Sequence, residues 1–160
     1  KLDMVKHLDI DKWVDDSFVR QAFKEAGRDY DAELASFSNY QAHGNDPVCD
    51  AAVSDPSRAG QIWVDGADIV SFSSAACTLE GVNRYRAQGK KIDAVYLMDH
   101  ALGVKVFAKD AFYTLGGGDG KQPDVEPFLL KRDAQASASK SGAKVVSYTQ
   151  ALSAVGKGGN

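Results

Sequence analysis

Residues 61–72, with the sequence QIWVDGADIVSF, constrain the fold more than any other stretch of the chain. Two runs rich in β-branched and aromatic residues flank Asp65 and Gly66. An Asp-Gly pair between such runs is a strong short-range signal for a tight turn. The pattern therefore predicts a β-hairpin and commits this part of the chain to an antiparallel sheet.

The segments after the hairpin mix helices with strands. Ser73 or Ser74 is placed to cap a helix that ends at Gly89, and residues 91–99 resemble a central strand. The further predicted elements are one or two extended segments over 104–118, a surface helix over 131–142, a strand over 143–148 and a short helix over 149–155. This irregular order predicts an α+β fold, a mixed or antiparallel sheet with packed helices.

The residues before position 45 have a helical pattern. Phe18, Val19, Ala22, Phe23 and Ala26 form one apolar stripe, which Asp15 or Asp16 is placed to cap and Gly27 to end. Asp29 opens a second, shorter helical run that carries Tyr30, Leu34 and Phe37. We therefore expect a helical segment over 1–45, an α+β domain over 46–155 and a disordered tail over 156–160.

Charge and hydropathy exclude several classes of function. The chain of 160 residues has 19 Lys and Arg against 22 Asp and Glu, so no electrostatic argument favours nucleic acid. Its apolar runs are far shorter than the roughly 18 residues that a transmembrane helix needs. A catalytic thiol needs a cysteine with a histidine base and a nearby carboxylate, and the chain has these in Cys49, His100 and Asp99. Nothing in the sequence positions a substrate beside them. We expect a protein that is not an enzyme.

The candidate metal ligands include the end of the predicted strand, where VYLMDH closes on Met98, Asp99 and His100. Thiolate and thioether ligands select Cu(I), and imidazole is a suitable companion. Cys49, Met98 and His100 have that chemistry, with Cys77 and His43 as extra candidates.

The two cysteines leave a second interpretation open. In an exported protein Cys49 and Cys77 would usually pair in a disulfide. In a reducing compartment one would serve as a thiol ligand and the other as a small buried apolar residue.

A series of landmarks runs from Cys49 to Val155: DPVCD, GQIWVDG, SFSSAACTL, VYLMDHALG, AKDAFYTLGG and the segment from EPFLLKR to VVSYTQAL. In this order the landmarks resemble those of the NosL family, the copper-binding envelope lipoproteins linked to nitrous-oxide reductase assembly. The resemblance implies a periplasmic or cell-envelope protein that binds copper and delivers it to a recipient metalloenzyme. Cys49 would be the thiolate ligand, His100 the nitrogen ligand and Met98 a weaker ligand, with Asp99 orienting His100.

The chain departs from that family pattern at two thioether positions. Ala51 stands where the family has a Met two residues after its cysteine, and His100 replaces the Met of an Asp-Met pair. A Cys/His site still suits copper and also accepts Zn(II). The same changes suit a domain that has lost its metal, in which a Cys49–Cys77 disulfide leaves no cofactor.

Residues 9–37 are similar to the closing helices of periplasmic substrate-binding proteins of the thiamine-precursor and sulfonate type. This similarity, with the start at Lys1, implies the C-terminal part of a longer exported protein. The alternative function is therefore a metal-free solute-binding or interaction domain of an ABC-transporter-type protein, with transporter components as partners.

Overall fold

The computed structural model describes residues 16–32, 42–66, 68–117 and 123–156. The chain divides into two compact units, residues 1–41 and residues 42–160. The second unit contains both cysteines and every strand of the described residues. The predicted boundaries at 45 and 155 stay predictions, and the tail beyond residue 156 lies outside the described residues.

The first unit contains the predicted helix α1, which spans Ser17–Glu25. Gly27 follows it with a φ of +69°, as the predicted helix end requires. Asp16 occupies the N-cap position, but its side chain makes no capping hydrogen bond and instead accepts one from Arg20 Nε at 2.8 Å. The other predicted cap, Asp15, lies outside the described residues. Asp29 does open a helical turn, since its Oδ1 accepts the N–H groups of residues 31 and 32. Leu34 and Phe37 of that run lie outside the described residues.

The second unit is built from three antiparallel sheets, which confirms the predicted α+β class. The strands are β1 Asn45–Asp46, β2 Ala51–Ala52, β3 Gly60–Val64, β4 Asp68–Phe72, β5 Ile92–Met98, β6 Lys105–Phe107, β7 Phe112–Gly116, β8 Asp124–Phe128 and β9 Lys144–Val146. They form a pair β1-β2, a four-stranded sheet in the order β4-β3-β5-β6 and a three-stranded sheet in the order β8-β7-β9. A 3-10 turn, Ala108–Asp110, joins the two larger sheets.

Three helices accompany these sheets: α2 Ala75–Ala87, α3 Lys131–Ser141 and α4 Tyr148–Val155. The Ser74 side chain caps α2, as predicted, and Gly89 follows that helix with a φ of +71°. Ser147 and Gln150 form a capping box at the start of α4. The sequence therefore sets the ends of these helices through local hydrogen bonds.

The predicted hairpin is formed by β3 and β4. Asp65 and Gly66 both have positive φ angles, 53° and 76°, as the tight turn requires. The N–H of Gly66 also donates to the Asp93 carboxylate on the neighbouring strand at 2.7 Å. The turn is thereby tied to the start of β5.

Helix α2 packs closely against the four-stranded sheet, and glycines make this approach feasible. A side chain at Gly60 would overlap Thr78 Oγ1 and come within 2.8 Å of Leu97. One at Gly81 would come within 2.6 Å of the Phe72 ring. The core between helix and sheet includes Ile62, Phe72, Leu79, Val82 and Leu97, each 0–1% exposed. This packing fixes the first turn of α2, which carries Cys77.

Strand β8 was not predicted from the sequence. It contains Pro127, which argues against a central strand because proline cannot donate to a strand ladder. The structure places β8 at the edge of its sheet, where it pairs with β7 alone. Strand β8 bears on the candidate site because it carries Glu126 to the vicinity of His100.

Candidate metal centre

The candidate residues gather at one end of the four-stranded sheet. Gly60 at the start of β3 pairs with Phe72 at the end of β4 and with Leu97 near the end of β5. Because β3 is antiparallel to both neighbours, the segments that follow β4 and β5 lie beside the segment that precedes β3. The start of α2, with Cys77, and the loop of His100 are therefore neighbours.

Cys49 and Cys77 are joined by a disulfide. The S–S distance is 2.07 Å and the Cα atoms are 6.0 Å apart, across a sequence separation of 28. Cys77 is buried at 3% exposure, whereas Cys49 is half-buried in the turn over 47–50. Of the two states that the sequence left open, the structure has the paired one.

Asp46 lies beside the two sulfurs and completes what we call the sulfur site, Asp46, Cys49 and Cys77. One ligand atom from each residue lies within 4.8 Å of the others. Within the described residues, this is the one group of three or more His, Cys, Asp and Glu side chains so gathered. His43 and His100 are not members of it.

The carboxylate of Asp46 holds the site together rather than standing free. It is 1% exposed, and its Oδ1 accepts the N–H groups of Val48 and Cys49 at 2.8 and 3.0 Å. Its Oδ2 accepts both the N–H and the hydroxyl of Ser73 at 2.7 Å. Asp46 thereby ties the cysteine loop to the start of α2. Sequence reasoning missed this residue, although Asp46-Pro47 is a recognisable turn signal.

Cys77 lies in the first turn of α2, where the helix dipole favours negative charge. Its backbone N–H donates to Ser74 Oγ at 3.2 Å, and the same hydroxyl donates to Cys77 Sγ at 2.9 Å. Ser73 Oγ is also 3.6 Å from that sulfur, but its hydroxyl hydrogen is directed to the stronger acceptor, Asp46. The Ser74 hydroxyl and the helix terminus both favour a thiolate at Cys77 once the disulfide is opened, whereas the Asp46 carboxylate within 4.8 Å opposes it.

Met98 and His100 lie in a separate place, a cleft of about 420 Å³ that we call the His100 cleft. Its walls include Ser57, Arg58, Ser74, Met98, His100 and Glu126. Ser74 belongs to both places, since it lines this cleft and contacts Cys77. The predicted ligands are thus divided between two neighbouring positions.

His100 is held at the edge of the cleft by contacts with β8. Its side chain is 55% exposed, with Nε2 at 3.5 Å from Glu126 Oε1. Its backbone N–H donates to the carbonyl of Pro127 at 2.9 Å, and its ring contacts the Phe128 ring edge-on, with the ring centres 5.6 Å apart. The other oxygen of Glu126 accepts the hydroxyls of Thr114 and Ser137. Glu126 is therefore fixed in place, while the imidazole remains accessible.

Asp99 is buried beneath the loop that carries His100. It is 1% exposed, and its Oδ1 accepts the N–H groups of Ala101 and Leu102. Its Oδ2 accepts the N–H of Leu129. Asp99 therefore shapes this loop through the backbone, and its predicted role in orienting the His100 imidazole at a metal stays a prediction.

His43, an extra candidate ligand, is exposed and lies near β4. Its backbone N–H donates to Ser71 Oγ at 3.3 Å. Burial shifts the pKa values of several residues elsewhere in the unit, and it raises the pKa of Tyr113 strongly. Burial raises the pKa of Tyr85, and the charges of Asp46 and Asp68 raise it further. Burial lowers the pKa of Lys105, whose Nζ donates to Gln61 at 2.8 Å.

No family model and no curated protein matches the chain. Among solved structures, it is similar to the copper chaperone NosL from Shewanella denitrificans, with a TM-score of 0.52. The match has 15% sequence identity and covers 67% of this chain and 88% of that one. The chain has a NosL-like fold. At this identity the likeness shows the fold alone, so membership in the NosL family stays a prediction.

Within the described residues, no helix is long and apolar enough to cross a membrane. The similarity of residues 9–37 to substrate-binding proteins is not tested, because much of that range lies outside the described residues.

Proposed function

We propose that this protein binds Cu(I) outside the cytoplasm and delivers it to a partner protein, with Cys49 and Cys77 as the anchoring ligands. The observation that supports this most is the pairing of two sulfurs in a fold similar to that of a copper chaperone. Two thiolates at one position are the donors that Cu(I) prefers. Cys77, which sequence reasoning treated as an extra candidate, becomes a principal ligand.

Copper binding in this scheme belongs to the reduced protein. A disulfide sulfur lacks the negative charge that makes a thiolate a strong metal ligand. Reduction produces two thiols whose Cα atoms are 6.0 Å apart in the disulfide, close enough for both sulfurs to reach a single ion. The disulfide form is then the metal-free, storage form of the same site.

Met98 and His100 supply the additional donors of the proposal. They lie in the His100 cleft, which shares Ser74 with the sulfur site. Because His100 is 55% exposed, it is suited to a ligand that a metal exchanges during transfer rather than to a permanent one. Asp46 is not a proposed ligand, since both of its oxygens already accept hydrogen bonds.

The proposed location and partners follow from the same chemistry. Stable disulfides form in oxidising compartments, which favours the periplasm or cell envelope. The proposed recipient is a metalloenzyme, with nitrous-oxide reductase as the example that the family resemblance implies. Residues 1–45 are proposed to be the end of a substrate-binding domain joined to the NosL-like domain.

The test is an anaerobic titration of the fully reduced protein with Cu(I) in the presence of a chromogenic competing chelator. We expect the reduced protein to take one equivalent of Cu(I) from the chelator, and the disulfide protein to take none. Cys49→Ser and Cys77→Ser should each remove tight binding, and His100→Ala and Met98→Leu should weaken it.

His43→Ala is the matched control, since His43 is exposed and lies outside the sulfur site. It should leave the affinity unchanged. Binding that survives both cysteine substitutions would exclude the proposed ligands. Tight binding of Zn(II) together with weak binding of Cu(I) would exclude copper as the cargo.

The second candidate function is a metal-free solute-binding or interaction domain in which the disulfide is permanent. The observation that favours it is the burial of Cys77 at 3% exposure within the bonded pair. The His100 cleft, at about 420 Å³, is within the usual size range of small-molecule sites. A disulfide that stays intact under mild reductants, in mass spectrometry of the whole chain, would favour this candidate.

A further inference from the structure

The two sulfurs of the disulfide differ in their surroundings, and the difference assigns them separate chemical roles. We propose that the Cys49–Cys77 bond is an exchange site for a dithiol reductant, in which the incoming thiolate attacks Cys49 and Cys77 leaves. The inference rests on the proposed function in one respect, because the exchange would supply the reduced pair that copper binding needs. The exchange chemistry itself requires no metal.

Cys77 is the better leaving group. Its Sγ already accepts the hydroxyl of Ser74 at 2.9 Å, and it lies in the first turn of a helix of 13 residues. A thiolate released there keeps this hydrogen bond and the favourable end of the helix dipole. Exchange is faster when the leaving thiolate is better stabilised.

Cys49 is the more exposed of the two residues. It lies in the turn over 47–50 and is half-buried, whereas Cys77, in the first turn of α2, is 3% exposed. The Asp46 carboxylate lies within 4.8 Å of both sulfurs and opposes a thiolate at either one, whereas the Ser74 hydroxyl bond is made to Cys77. Access and leaving-group stability therefore point in the same direction.

The reaction balances as two successive thiol–disulfide exchanges. In the first, the thiolate of the reductant forms a bond with Cys49 Sγ, the Cys49–Cys77 bond breaks, and Cys77 takes the electron pair as a thiolate. In the second, the other thiolate of the reductant attacks the reductant sulfur that is bonded to Cys49. The bond to Cys49 breaks, and Cys49 leaves as a thiolate. The reductant ends as a disulfide, and two electrons have passed to the protein.

The direct test locates the first adduct. The disulfide protein is treated briefly with glutathione without metal, quenched with acid, and digested with trypsin. Cleavage after Arg28, Arg58 and Arg84 places Cys49 in peptide 29–58 and Cys77 in peptide 59–84. We expect adduct on the first peptide to exceed that on the second by on the order of tenfold. Equal labelling, labelling mainly at Cys77, or no exchange at all would overturn the proposal.

A second measurement tests the role of Ser74. Ser74→Ala should slow reduction several-fold, because the released thiolate loses its hydroxyl donor, whereas Ser74→Thr keeps the donor and the rate. Since Ser74 also caps α2, circular dichroism must show that both variants remain folded. Ser57→Ala, in the same cleft but remote from the sulfurs' hydrogen bonds, is the control. An unchanged rate in Ser74→Ala would contradict the assignment of Cys77 as leaving group.

The exchange and the copper proposals fail separately. An adduct on Cys49 together with weak Cu(I) binding by the reduced protein would leave the exchange site standing and remove the copper function. Tight Cu(I) binding together with an adduct on Cys77 would keep the copper function and remove the exchange proposal.

Discussion

Two loops of the second unit, one carrying Cys49 and the other carrying His100, are organised in the same way by a buried aspartate. Asp46 and Asp99 are each 1% exposed. In both, one carboxylate oxygen accepts the backbone N–H groups found two and three residues later. The other oxygen reaches a distant segment, Ser73 for the first loop and Leu129 for the second.

The two loops differ in what secures them beyond the aspartate. The Cys49 loop is also joined covalently to α2, and Cys49 is half-buried. The His100 loop has no such link, and its imidazole is 55% exposed beside Glu126. The same arrangement, a loop held by a buried aspartate, thus presents two different side chains. Cys49 is bonded to a second sulfur, and the His100 imidazole is open to solvent.

This difference suggests a division of labour within the proposed function. Once the disulfide is reduced, the pair of sulfurs is suited to binding Cu(I) firmly. The accessible imidazole is suited to passing Cu(I) on to a partner. The predictions that follow test this comparison, beginning with the covalent link.

Removing the disulfide should produce the largest loss of stability. With a sequence separation of 28 between the cysteines, the bond should contribute about 3–4 kcal/mol by restricting the unfolded chain. The double variant Cys49→Ala/Cys77→Ala should therefore unfold at a clearly lower urea concentration. Addition of reductant should destabilise the wild-type protein in the same direction and leave the double variant unaffected. A loss below about 1 kcal/mol would show that Asp46 alone holds this loop.

Replacing the two aspartates should give the next largest effects. Each alanine variant leaves three backbone N–H groups in part-buried hydrogen bonds without their acceptor, at a cost of roughly 1–3 kcal/mol. Asp99→Ala should cost more than Asp46→Ala in the disulfide protein, because the disulfide retains the Cys49 loop when its aspartate is lost.

The difference between the two aspartates should shrink when both cysteines are alanine, since interactions that share one loop are not additive. Urea unfolding of the four variants measures this directly. An unchanged difference in the cysteine-free protein would mean that the disulfide and Asp46 act independently.

The contact between His100 and Glu126 should matter least to stability. Exposed ion pairs contribute between about 0 and 1 kcal/mol, and the His100 side chain is more than half exposed. Glu126→Gln keeps the size of the side chain and should lower the free energy of unfolding by no more than that. A much larger loss, measured by urea unfolding and absent from His100→Ala, would show that Glu126 acts through Thr114 and Ser137 instead.

Local signals in the sequence account for much of the fold. The Asp65-Gly66 turn, the Ser74 cap and the apolar run that ends at Met98 each depend on neighbours in the chain, and each was predicted. Strand β8 was missed because Pro127 is compatible with a strand only at a sheet edge, and edges are a property of the whole sheet.

The candidate site was less accessible to sequence reasoning, because its key contacts join distant residues. Asp46-Pro47 is a turn signal that can be read from the sequence, but the hydrogen bonds from Ser73 to the Asp46 carboxylate connect positions 27 apart. The pairing of Cys49 with Cys77 likewise depends on the fold, so the sequence left it open. The metal-binding roles of Cys49, Met98 and His100 stay predictions.

X-ray absorption at the copper edge, on reduced protein loaded with one equivalent of Cu(I), tests the central claim most directly. The account predicts two sulfur neighbours that belong to Cys49 and Cys77, with one of them lost in Cys49→Ser and one in Cys77→Ser. A copper environment of nitrogen and oxygen alone, or a sulfur count that neither substitution changes, would contradict it.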